Sequence, residues 1–562
     1  MKSNIRKLTL IFCILLSGCT AALPLDSTGG QLISGSAGTA TPFQPATPSL
    51  ASQPLRMRVD NDVPSGLLDQ LRVGDDLIMV DANQPADILF SAQNPDRVLS
   101  KWVYALVAPF PTVTDGISTQ ELKSIWQGEP FPAMQEQSLL MEESTLRALA
   151  DYWGQEPGSL VKALPANEIL DAAWQAKTAW AIVPFEALEP RWKVLRLDGL
   201  SPYDMDFQLD QYPLTILFGI SAMNPITLDG LKVDVLPSNR DQSKMTSLLM
   251  TGVTALTRAT GKKMETEGML YPARDTIDWF RSADLVHVSN EVSFTNTCPP
   301  ANPFQTALQF CSRPEYIELL DYIGVDIMEL SGNHLMDWGW EPFNESMKMY
   351  EERGWKVYSA GENQEAAKQP LLMEHNGNKL AFIACNPAGP ERVWATDEFP
   401  GVATCDYDWI TVEIKRLSEQ GYLVIATQQF FESYGFVPGA QQVQVFNQLA
   451  DAGAVIVSGS QAHHPQGMAF TQSGSFIHYG LGNLFFDQMR MPDGAAPEVF
   501  SPDLPIAGVR LEFLDRHIFY NGKYLGTDLL TAVLEDYARP RPMTADERAV
   551  FLREAFSRSG WK

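Results

Sequence analysis

Short apolar runs alternate with stretches of helical periodicity over residues 243–530. Alternation of this kind predicts a mostly parallel sheet that is covered by helices. The predicted strands are residues 247–253, 285–288, 326–330, 380–384, 423–427, 454–457 and 476–479. The predicted helices are residues 313–323, 341–353, 407–419 and 440–452, followed by a short amphipathic helix in the tail, 543–562.

A similar alternation occurs earlier in the chain, over residues 54–235, and predicts a separate α/β domain. Its predicted strands are residues 76–80, 87–90, 103–107, 179–183 and 215–219, and its predicted helices are 119–125, 143–152 and 167–176. A chain of this length is too long for one core, so more than one domain is expected. The predicted division is 1–18, 19–53, 54–235, 243–530 and a helical tail over 531–562.

The first residues have the composition of an export signal. A basic start precedes an apolar run over residues 8–16, which is too short to span a bilayer as a helix. The run ends in Leu-Ser-Gly-Cys, which resembles the lipobox of bacterial lipoproteins. That resemblance implies a signal peptide over residues 1–18, acylation of Cys19 with fatty acids such as palmitate, and an extracytoplasmic protein anchored to a bacterial membrane. An ordinary signal peptide with a chance cysteine is the alternative.

Residues 19–53 and the overall charge add two expectations. Beyond Cys19 the segment is rich in Ser, Thr, Gly, Ala and Pro, a composition that predicts a flexible linker. The formal net charge is −26, which argues against nucleic acid as a partner and against a polybasic contact with anionic lipid. The same charge opposes the capture of a polyanion unless cationic side chains are concentrated locally.

Four of the six cysteines lie beyond the signal region. An even number in an oxidising compartment permits two disulfides, and the short Pro-rich loop between Cys298 and Cys311 suggests the first. Cys385 and Cys405 form the natural second pair. Four buried thiols are the alternative, and the absence of a Cys-x-x-Cys motif argues against a structural zinc site.

Polar side chains are concentrated just after several predicted strands, where α/β sheets place their sites. These segments contain Asn, His and carboxylate groups, which are suitable ligands for divalent metals. The segments are SNE (289–291), GNH with DWG (332–339), GSQAHHPQ (459–466) and GLGN with DQ (480–488).

At these residues the chain resembles the CapA family of bacterial capsule or poly-γ-glutamate biosynthesis proteins. The family motifs include G-D-x-x-L, N-L-E-G, N-N-H-x-x-D-Y-G, H-W-G, G-x-H-P-H-x-x-Q and Y-S-L-G-N-F-x-F-D. The corresponding segments here are GVTAL (252–256), SNEV (289–292), GNHLMDWG (332–339), TQQF (427–430), GSQAHHPQ (459–466) and HYGLGNLFFD (478–487). The resemblance implies a layered α/β domain of the calcineurin-like metallophosphatase fold.

The resemblance also implies site residues. His334 is expected as a proton donor and Asp337 beside it as a second catalytic residue, although Asp337 could instead cap the helix that begins near Trp340. A divalent metal such as Mn²⁺, Zn²⁺ or Mg²⁺ is expected on Glu291, Asn333, His463 and Gln461. The expected substrate-binding residues are Asn290, Gln429, His464, Gln466 and Asn483.

Three positions depart from the family pattern. Val253 stands where the family has its first Asp, Gln428 or Gln429 replaces the H-W-G histidine, and Gln461 replaces the first histidine of G-x-H-P-H. Valine cannot bind a metal and glutamine is a neutral ligand, so a tight two-metal centre is not expected. A single weaker metal and a metal-free pocket that binds through hydrogen bonds remain open.

The earlier domain resembles type 2 periplasmic binding proteins of the phosphate-binding kind. The resemblance lies in ISTQELKSIWQG (117–128), which follows an apolar strand. No convincing Ser/Thr/Gly phosphate cradle at a helix N-terminus accompanies it, so a binding fold with a lost or altered ligand site is the alternative.

Together these patterns predict a surface lipoprotein that acts in the synthesis, export or trimming of an anionic polymer, such as capsule or poly-γ-glutamate. The expected partners are that polymer or a small anion, the capsule-synthesis machinery, and the membrane through the lipid. Metal-assisted hydrolysis or transfer would make the protein an enzyme. A non-catalytic binding or scaffold protein and an extracellular phosphoesterase are the alternatives.

Overall fold

A computed structural model of the chain describes residues 53–134, 138–432, 435–460, 462–488 and 498–561. The predicted signal peptide, Cys19, most of the linker and Gln461 lie outside these residues. Within them, no helix combines the length and the apolar character needed to cross a membrane.

The first sheet (sheet I) belongs to the segment that resembles periplasmic binding proteins. Its central strand, Arg97–Pro109, is buried from Trp102 onward because apolar residues occupy both of its faces there. In spatial order the strands are Leu77–Val80, Leu55–Val59, Ile88–Ser91, Thr215–Ala222, Arg97–Pro109, Trp180–Pro184, Leu139–Met141 and Val161–Ala163, with Trp192–Val194 paired to Arg97–Pro109.

Three helices of sheet I's domain match the predicted ones closely. They are Thr119–Trp126, Glu143–Trp153 and Ala166–Ala176. The first begins at a capping box, in which Ser118 and Glu121 each bond to the other's backbone N–H. The second ends at Gly154, which adopts the left-handed conformation typical of a helix C-terminus.

The rest of the chain builds two further large sheets and two small two-stranded ones, rather than the single sheet predicted. Sheet II has the order Lys356–Tyr358, Ile327–Glu329, Leu285–Asn290, Met245–Thr254, Leu511–Tyr520, Lys523–Glu535 and Arg539–Pro542. Sheet III has the order Leu371–His375, Asn378–Cys385, Leu423–Gln428, Ala454–Gly459, Phe476–His478 and Met468–Phe470. The first four strands of sheet II and the second to fifth strands of sheet III are mutually parallel, and the remaining pairs are antiparallel.

Successive side chains along each strand point to opposite faces of its sheet, and sheets II and III pack against each other through one apolar face each. Leu248 of sheet II and Phe382 of sheet III belong to one buried cluster between the sheets. The neighbouring residues Leu249 and Ile383 point the other way, each into a separate cluster under helices. The result is a four-layer α/β arrangement, and the predicted α/β class is confirmed.

Helices cover the outer faces of both sheets. Over sheet II lie Arg258–Glu267, Ile277–Arg281, Ile317–Ile323 and Trp340–Arg353, and over sheet III lie Tyr407–Glu419 and Ala440–Asp451. The predicted tail helix is Ala545–Arg558, and it packs against the cluster between the sheets. Residue 530, the predicted end of the second domain, lies inside the strand Lys523–Glu535.

Both predicted disulfides are present, Cys298–Cys311 and Cys385–Cys405. The alternative of four free thiols is therefore wrong. The first disulfide closes the loop that carries Phe310, and the second links the strand Asn378–Cys385 to the loop before the helix Tyr407–Glu419.

Candidate functional site

The polar groups predicted at strand ends do converge on one edge of the sandwich. Glu291 and Gln429 are the first residues after their strands, and Asn333, His334 and His463 lie in loops that follow theirs. Sheets II and III both contribute, because the carboxyl ends of their parallel strands meet at this edge.

Gln429 is at the centre of the cluster. Its Nε2 donates to Glu291 Oε1 over 2.9 Å and to Asn333 Oδ1 over 3.3 Å. Gln428, the other candidate for the replaced histidine, donates instead to the Thr427 carbonyl. An amide nitrogen thus lies between two oxygens that were predicted to hold a metal.

Ser460 fixes the orientation of that amide. Its Oγ lies 3.0 Å from Gln429 Oε1 and 3.1 Å from Glu329 Oε1. Burial raises the pKa of Glu329, which favours its protonated carboxyl. The Ser460 hydroxyl donates to Gln429 Oε1 and to Glu329 Oε1, so the oxygen end of the Gln429 amide faces Ser460. The chain of bonds directs Gln429 Nε2 toward Glu291.

His334 and Asp337 form a hydrogen-bonded pair. His334 Nδ1 is 2.7 Å from Asp337 Oδ2, and Asp337 also accepts from the Phe310 backbone N–H and from Arg392. Burial alone lowers the pKa of His334. The bond to Asp337 and the charge of Glu291 outweigh that effect and hold the pKa above the ordinary value of 6.5. Asp337 therefore orients His334 and favours its charged form.

The alternative role of Asp337, as a helix cap, is wrong. The helix Trp340–Arg353 begins at Gly339, without a side-chain cap. The Asp337 carboxylate is fully buried and is used by His334, Arg392 and Phe310 instead.

His463 is held by Asn483. Asn483 Nδ2 donates to the backbone oxygens of His463 and Val509, so its Oδ1 accepts from His463 Nδ1 at 2.9 Å. This arrangement places the proton on Nδ1 and turns Nε2 toward Glu432, whose Oε1 is 3.8 Å away. Asn483 is therefore a positioning residue for His463.

Two aromatic rings and a guanidinium line the space between the histidines. The Phe310 ring lies 4.6 Å from the His334 ring, and the Phe486 ring lies 5.3 Å from the His463 ring, centroid to centroid. Arg258 stacks over both phenylalanines and pairs with Asp487. Burial raises the pKa of Asp487 to about 6, although Arg258 acts in the opposite direction.

The surroundings of Val253, which stands where the family has its first Asp, are apolar in the structure as well. Val253 is fully buried and packs with Ala255, Val292, Phe310 and Phe486. A metal there would lose its anionic ligand and face hydrocarbon, which no divalent cation tolerates. The residues present therefore do not fit a two-metal centre.

The predicted single-metal set is only partly described. Across the described part of the chain, no group of three or more His, Cys, Asp or Glu side chains is close enough to hold a metal. Gln461 lies outside the described residues, so the set of Glu291, Asn333, His463 and Gln461 stays a prediction.

Three predicted substrate-binding residues make structural contacts. Asn290 donates to the Val292 carbonyl and to the Tyr350 hydroxyl under a helix. Gln466 donates to the Gly435 carbonyl and accepts from Gln442. The His464 ring lies 4.9 Å from the Phe436 ring. Each of these contacts uses the side chain in packing around the pocket, and their role in binding stays a prediction.

Sequence reasoning missed four residues of the site. Ser460 lies in one of the predicted polar segments without an assigned role, and Glu329, Arg258 and Phe310 lie outside those segments. Glu329 ends an apolar strand and Phe310 lies in the Cys298–Cys311 loop, so neither carries a local signal. Arg258 has a positive backbone φ of 45°, a conformation that an arginine in the sequence does not predict.

In the sheet I domain, the helix that carries the binding-protein resemblance is capped from within the chain. The backbone N–H and the hydroxyl of Thr119 both donate to Asp198, and Ser118 donates to Glu121. Carboxylates of the protein itself thus occupy the end of the helix that would attract a phosphate.

Part of the chain is similar in sequence to known proteins. A family model described as "Bacterial capsule synthesis protein PGA_cap" matches residues 247–488. The chain is 23% identical over 261 residues to "Capsule biosynthesis protein CapA" of Bacillus anthracis, covering 45% of this chain and 63% of that protein. It is 23% identical over 214 residues to "PGA biosynthesis protein CapA" of Bacillus subtilis (strain 168), covering 37% of this chain and 55% of that protein. The matches thus span less than two thirds of either relative.

Among solved structures, a "novel phosphatase" from Mycoplasma pneumoniae matches with a TM-score of 0.32 and 14% identity, covering 51% of this chain and 94% of that one. An "ABC-type phosphate transport receptor" from Vibrio cholerae matches with a TM-score of 0.22 and 13% identity, covering 24% of this chain and 66% of that one. TM-scores this low carry no argument about function. The sequence matches show that residues 247–488 of this chain are similar to bacterial capsule synthesis proteins of the CapA kind.

Proposed function

We propose that this protein is an accessory factor in making an anionic extracellular polymer, such as capsule or poly-γ-glutamate, and that its pocket binds the polymer rather than cleaving it at a two-metal centre. The observation that carries the proposal is the position of Gln429 Nε2 between Glu291 Oε1 and Asn333 Oδ1. An amide nitrogen already satisfies the oxygens that a metal would need.

The groups around this amide suit recognition of a carboxylate. His334 uses Nδ1 for Asp337, so its Nε2–H is the ring donor available to an incoming anion. Arg392 forms an ion pair with the same carboxylate, that of Asp337, and its side chain is 57% exposed. It therefore puts a second cation at the pocket rim. Asp337 and Asp487 are paired with cations, so their negative charges repel a polymer less than the net charge of −26 suggests.

The proposal includes the place where the protein acts. The lipobox-like ending at Cys19 supports a lipid anchor on the outer side of a bacterial membrane, and the linker before the folded part supports contact with the capsule-synthesis machinery. Metabolic labelling with an alkyne fatty acid tests the anchor. Cys19→Ser should abolish labelling and Cys13→Ser should keep it. Equal labelling of both variants would contradict the anchor.

A second candidate is a hydrolase that trims the polymer. The His334–Asp337 pair favours it, because a carboxylate that orients and charges an imidazole prepares it to protonate a leaving group. This candidate retains the predicted single Mn²⁺, Zn²⁺ or Mg²⁺ ion on Glu291, Asn333, His463 and Gln461.

One set of measurements separates the two candidates. Purified protein is titrated with poly-γ-glutamate by calorimetry at about pH 6 and about pH 8, where a histidine changes its charge. The binding proposal expects tighter binding at the lower pH, loss of at least about tenfold in affinity for His334→Gln, and no change for the matched control His375→Gln. No binding at either pH would refute it.

The same protein is then tested for bound metal by elemental analysis and for release of glutamate with Mn²⁺, Zn²⁺ or Mg²⁺ added. Metal-dependent release that Glu291→Gln abolishes would overturn the binding proposal and establish the hydrolase. Polymer binding without metal and without release would support the accessory role.

A further inference from the structure

The structure contains a further, partly open cavity that is lined by other residues than the pocket around Glu291. It is a cavity of about 290 Å³ between residues of the sheet I domain, the strand Lys523–Glu535 and the helix Ala545–Arg558. Its volume is close to the lower end of the range of about 300–1,000 Å³ that is typical of small-molecule sites, which often form where domains meet. None of its lining residues belongs to the pocket around Glu291.

The cavity is cationic in an acidic protein. Lys193, Arg196, Arg516 and Arg548 line it together with two carboxylates, Asp115 and Asp528. Asp204, which lies outside the lining, pairs with Arg196, so with all three carboxylates counted the formal excess is one positive charge, although the whole chain carries −26. Local concentration of positive charge against that background is a feature of anion sites.

The three carboxylates do not fully neutralise the four cations. Asp115 is shared, because it accepts from Arg548 over 2.6 and 2.9 Å and from Lys193 over 2.8 Å. Burial, together with the neighbouring charge of Arg548, lowers the pKa of Lys193 to about 8 even though Asp115 opposes that change. A further anion in the cavity would relieve this repulsion.

Arg516 supplies an independent observation. Its side chain is only 8% exposed, and it donates to Asp528 over 2.5 Å and to Ser282 over 3.3 Å. Its Nε–H is buried and has no acceptor among the described residues. A buried N–H without an acceptor costs free energy, so an oxygen atom from a ligand is the partner that this group lacks.

Much of the remaining wall is apolar. Leu552 and Phe556 of the helix Ala545–Arg558 line the cavity, as does Met543 just before that helix. An inorganic ion would leave this surface uncovered. We propose that the cavity binds a small organic oxyanion, whose phosphate or carboxylate group accepts from Arg516 Nε and whose apolar part packs against Leu552 and Phe556.

The test uses the purified full-length protein and three probes of similar size, phenyl phosphate, benzoate and the neutral benzyl alcohol. Calorimetry should show binding of at least one of the two anions at millimolar concentration and much weaker binding of benzyl alcohol. Whichever anion binds tighter identifies the head group. Failure of both anions to bind, or equal binding of benzyl alcohol, would overturn the proposal.

Variants then assign the binding to this cavity. Arg516→Gln should weaken the anion about tenfold to a hundredfold, since it removes a charged donor. Arg353→Gln is the matched control, because Arg353 pairs with Asp321 on another part of the surface, and it should bind as the wild type does. Unchanged affinity in Arg516→Gln would refute the assignment.

Arg516→Gln also leaves Asp528 without its partner and could unfold the protein. The double variant Arg516→Gln/Asp528→Asn removes both charges and keeps the pair neutral. It should retain the wild-type thermal transition and still bind the anion about tenfold more weakly. A folded double variant with wild-type affinity would count against the proposal.

Discussion

The side-chain nitrogen of Gln429 donates to Glu291 Oε1 over 2.9 Å, at the point where the carboxyl ends of two sheets meet. Glu291 is 1% exposed, so its charged group depends on a neutral amide for a hydrogen bond. A buried carboxylate next to an amide is less well compensated than one bound to a cation.

Replacing Gln429 by Met should therefore destabilise the fold. Loss of the donor leaves Glu291 buried without that bond, which costs on the order of 1–3 kcal/mol. Chemical denaturation measures the free energy of unfolding of Gln429→Met, Glu291→Gln and the double variant. The double variant should be less destabilised than the sum of the two single ones by at least about 0.5 kcal/mol. Simple additivity would show that the two side chains are not coupled.

Restoring an acid at position 253 should not create a metal site. Val253 is fully buried among apolar side chains, so Val253→Asp should lower the free energy of unfolding by several kcal/mol, roughly 2 kcal/mol more than Val253→Thr. Thermal unfolding with and without Mn²⁺ checks this. Recovery of stability with Mn²⁺ in Val253→Asp alone would contradict the conclusion that the residues do not fit a two-metal centre.

The pKa of His334 should depend on its carboxylate partner. Because that pKa is raised in the folded state, the His334–Asp337 pair contributes its full stabilisation below about pH 6.5 and loses it as the pH rises through the folded pKa. Asp337→Asn should shift the pH dependence of polymer binding to lower pH.

Arg392→Gln is the informative comparison for that shift. It removes a cation from Asp337 while leaving the bond to His334, so the pH dependence should move in the opposite direction. Shifts of the same sign in both variants would mean that Asp337 does not act through the charge on His334.

Asp62 should make stability depend on pH in the sheet I domain. Burial raises its pKa to about 7, while the Ala92 backbone N–H opposes the shift, and Oδ1 has no hydrogen-bond partner among the described residues. The folded state therefore holds an extra proton between about pH 4 and pH 7, and the free energy of unfolding should fall as the pH rises across that window.

Asp62→Asn should remove this dependence, which is on the order of 4 kcal/mol. The measurement is urea denaturation at a series of pH values. Asp81→Asn, at an exposed position, is the matched control and should retain the wild-type slope. An unchanged slope in Asp62→Asn would rule out Asp62 as the titrating group.

Much of the architecture follows from local patterns. The helix predicted over 407–419 is Tyr407–Glu419, because Asp406 caps its first turn and its apolar residues recur at helical spacing. The disulfide pairs were also predictable, since loop closure leaves few sensible partners. The family motifs then located Glu291, Asn333 and His463 at strand ends.

The strands Leu511–Tyr520 and Lys523–Glu535 were not predictable. Charged residues interrupt their apolar runs, and some of these residues are buried against partners elsewhere in the chain. Asp515, for example, lies 2.6 Å from His478 of sheet III. Such compensation is visible only after folding, as are the contacts of Arg258 with Phe310 and Phe486.

The loop closed by Cys298 and Cys311 presents Phe310, whose backbone N–H donates to the same Asp337 oxygen that His334 contacts. Asp337 Oδ2 thus contacts both the loop that the disulfide closes and the imidazole of His334. Any process that loosens the loop changes how strongly that oxygen holds the proton of the His334 imidazole, and by reciprocity protonation of His334 changes the stability of the closed loop. Thiol oxidation and proton uptake in this protein are therefore expected to be thermodynamically linked, and the titration midpoint of His334 under reducing conditions measures the size of the link.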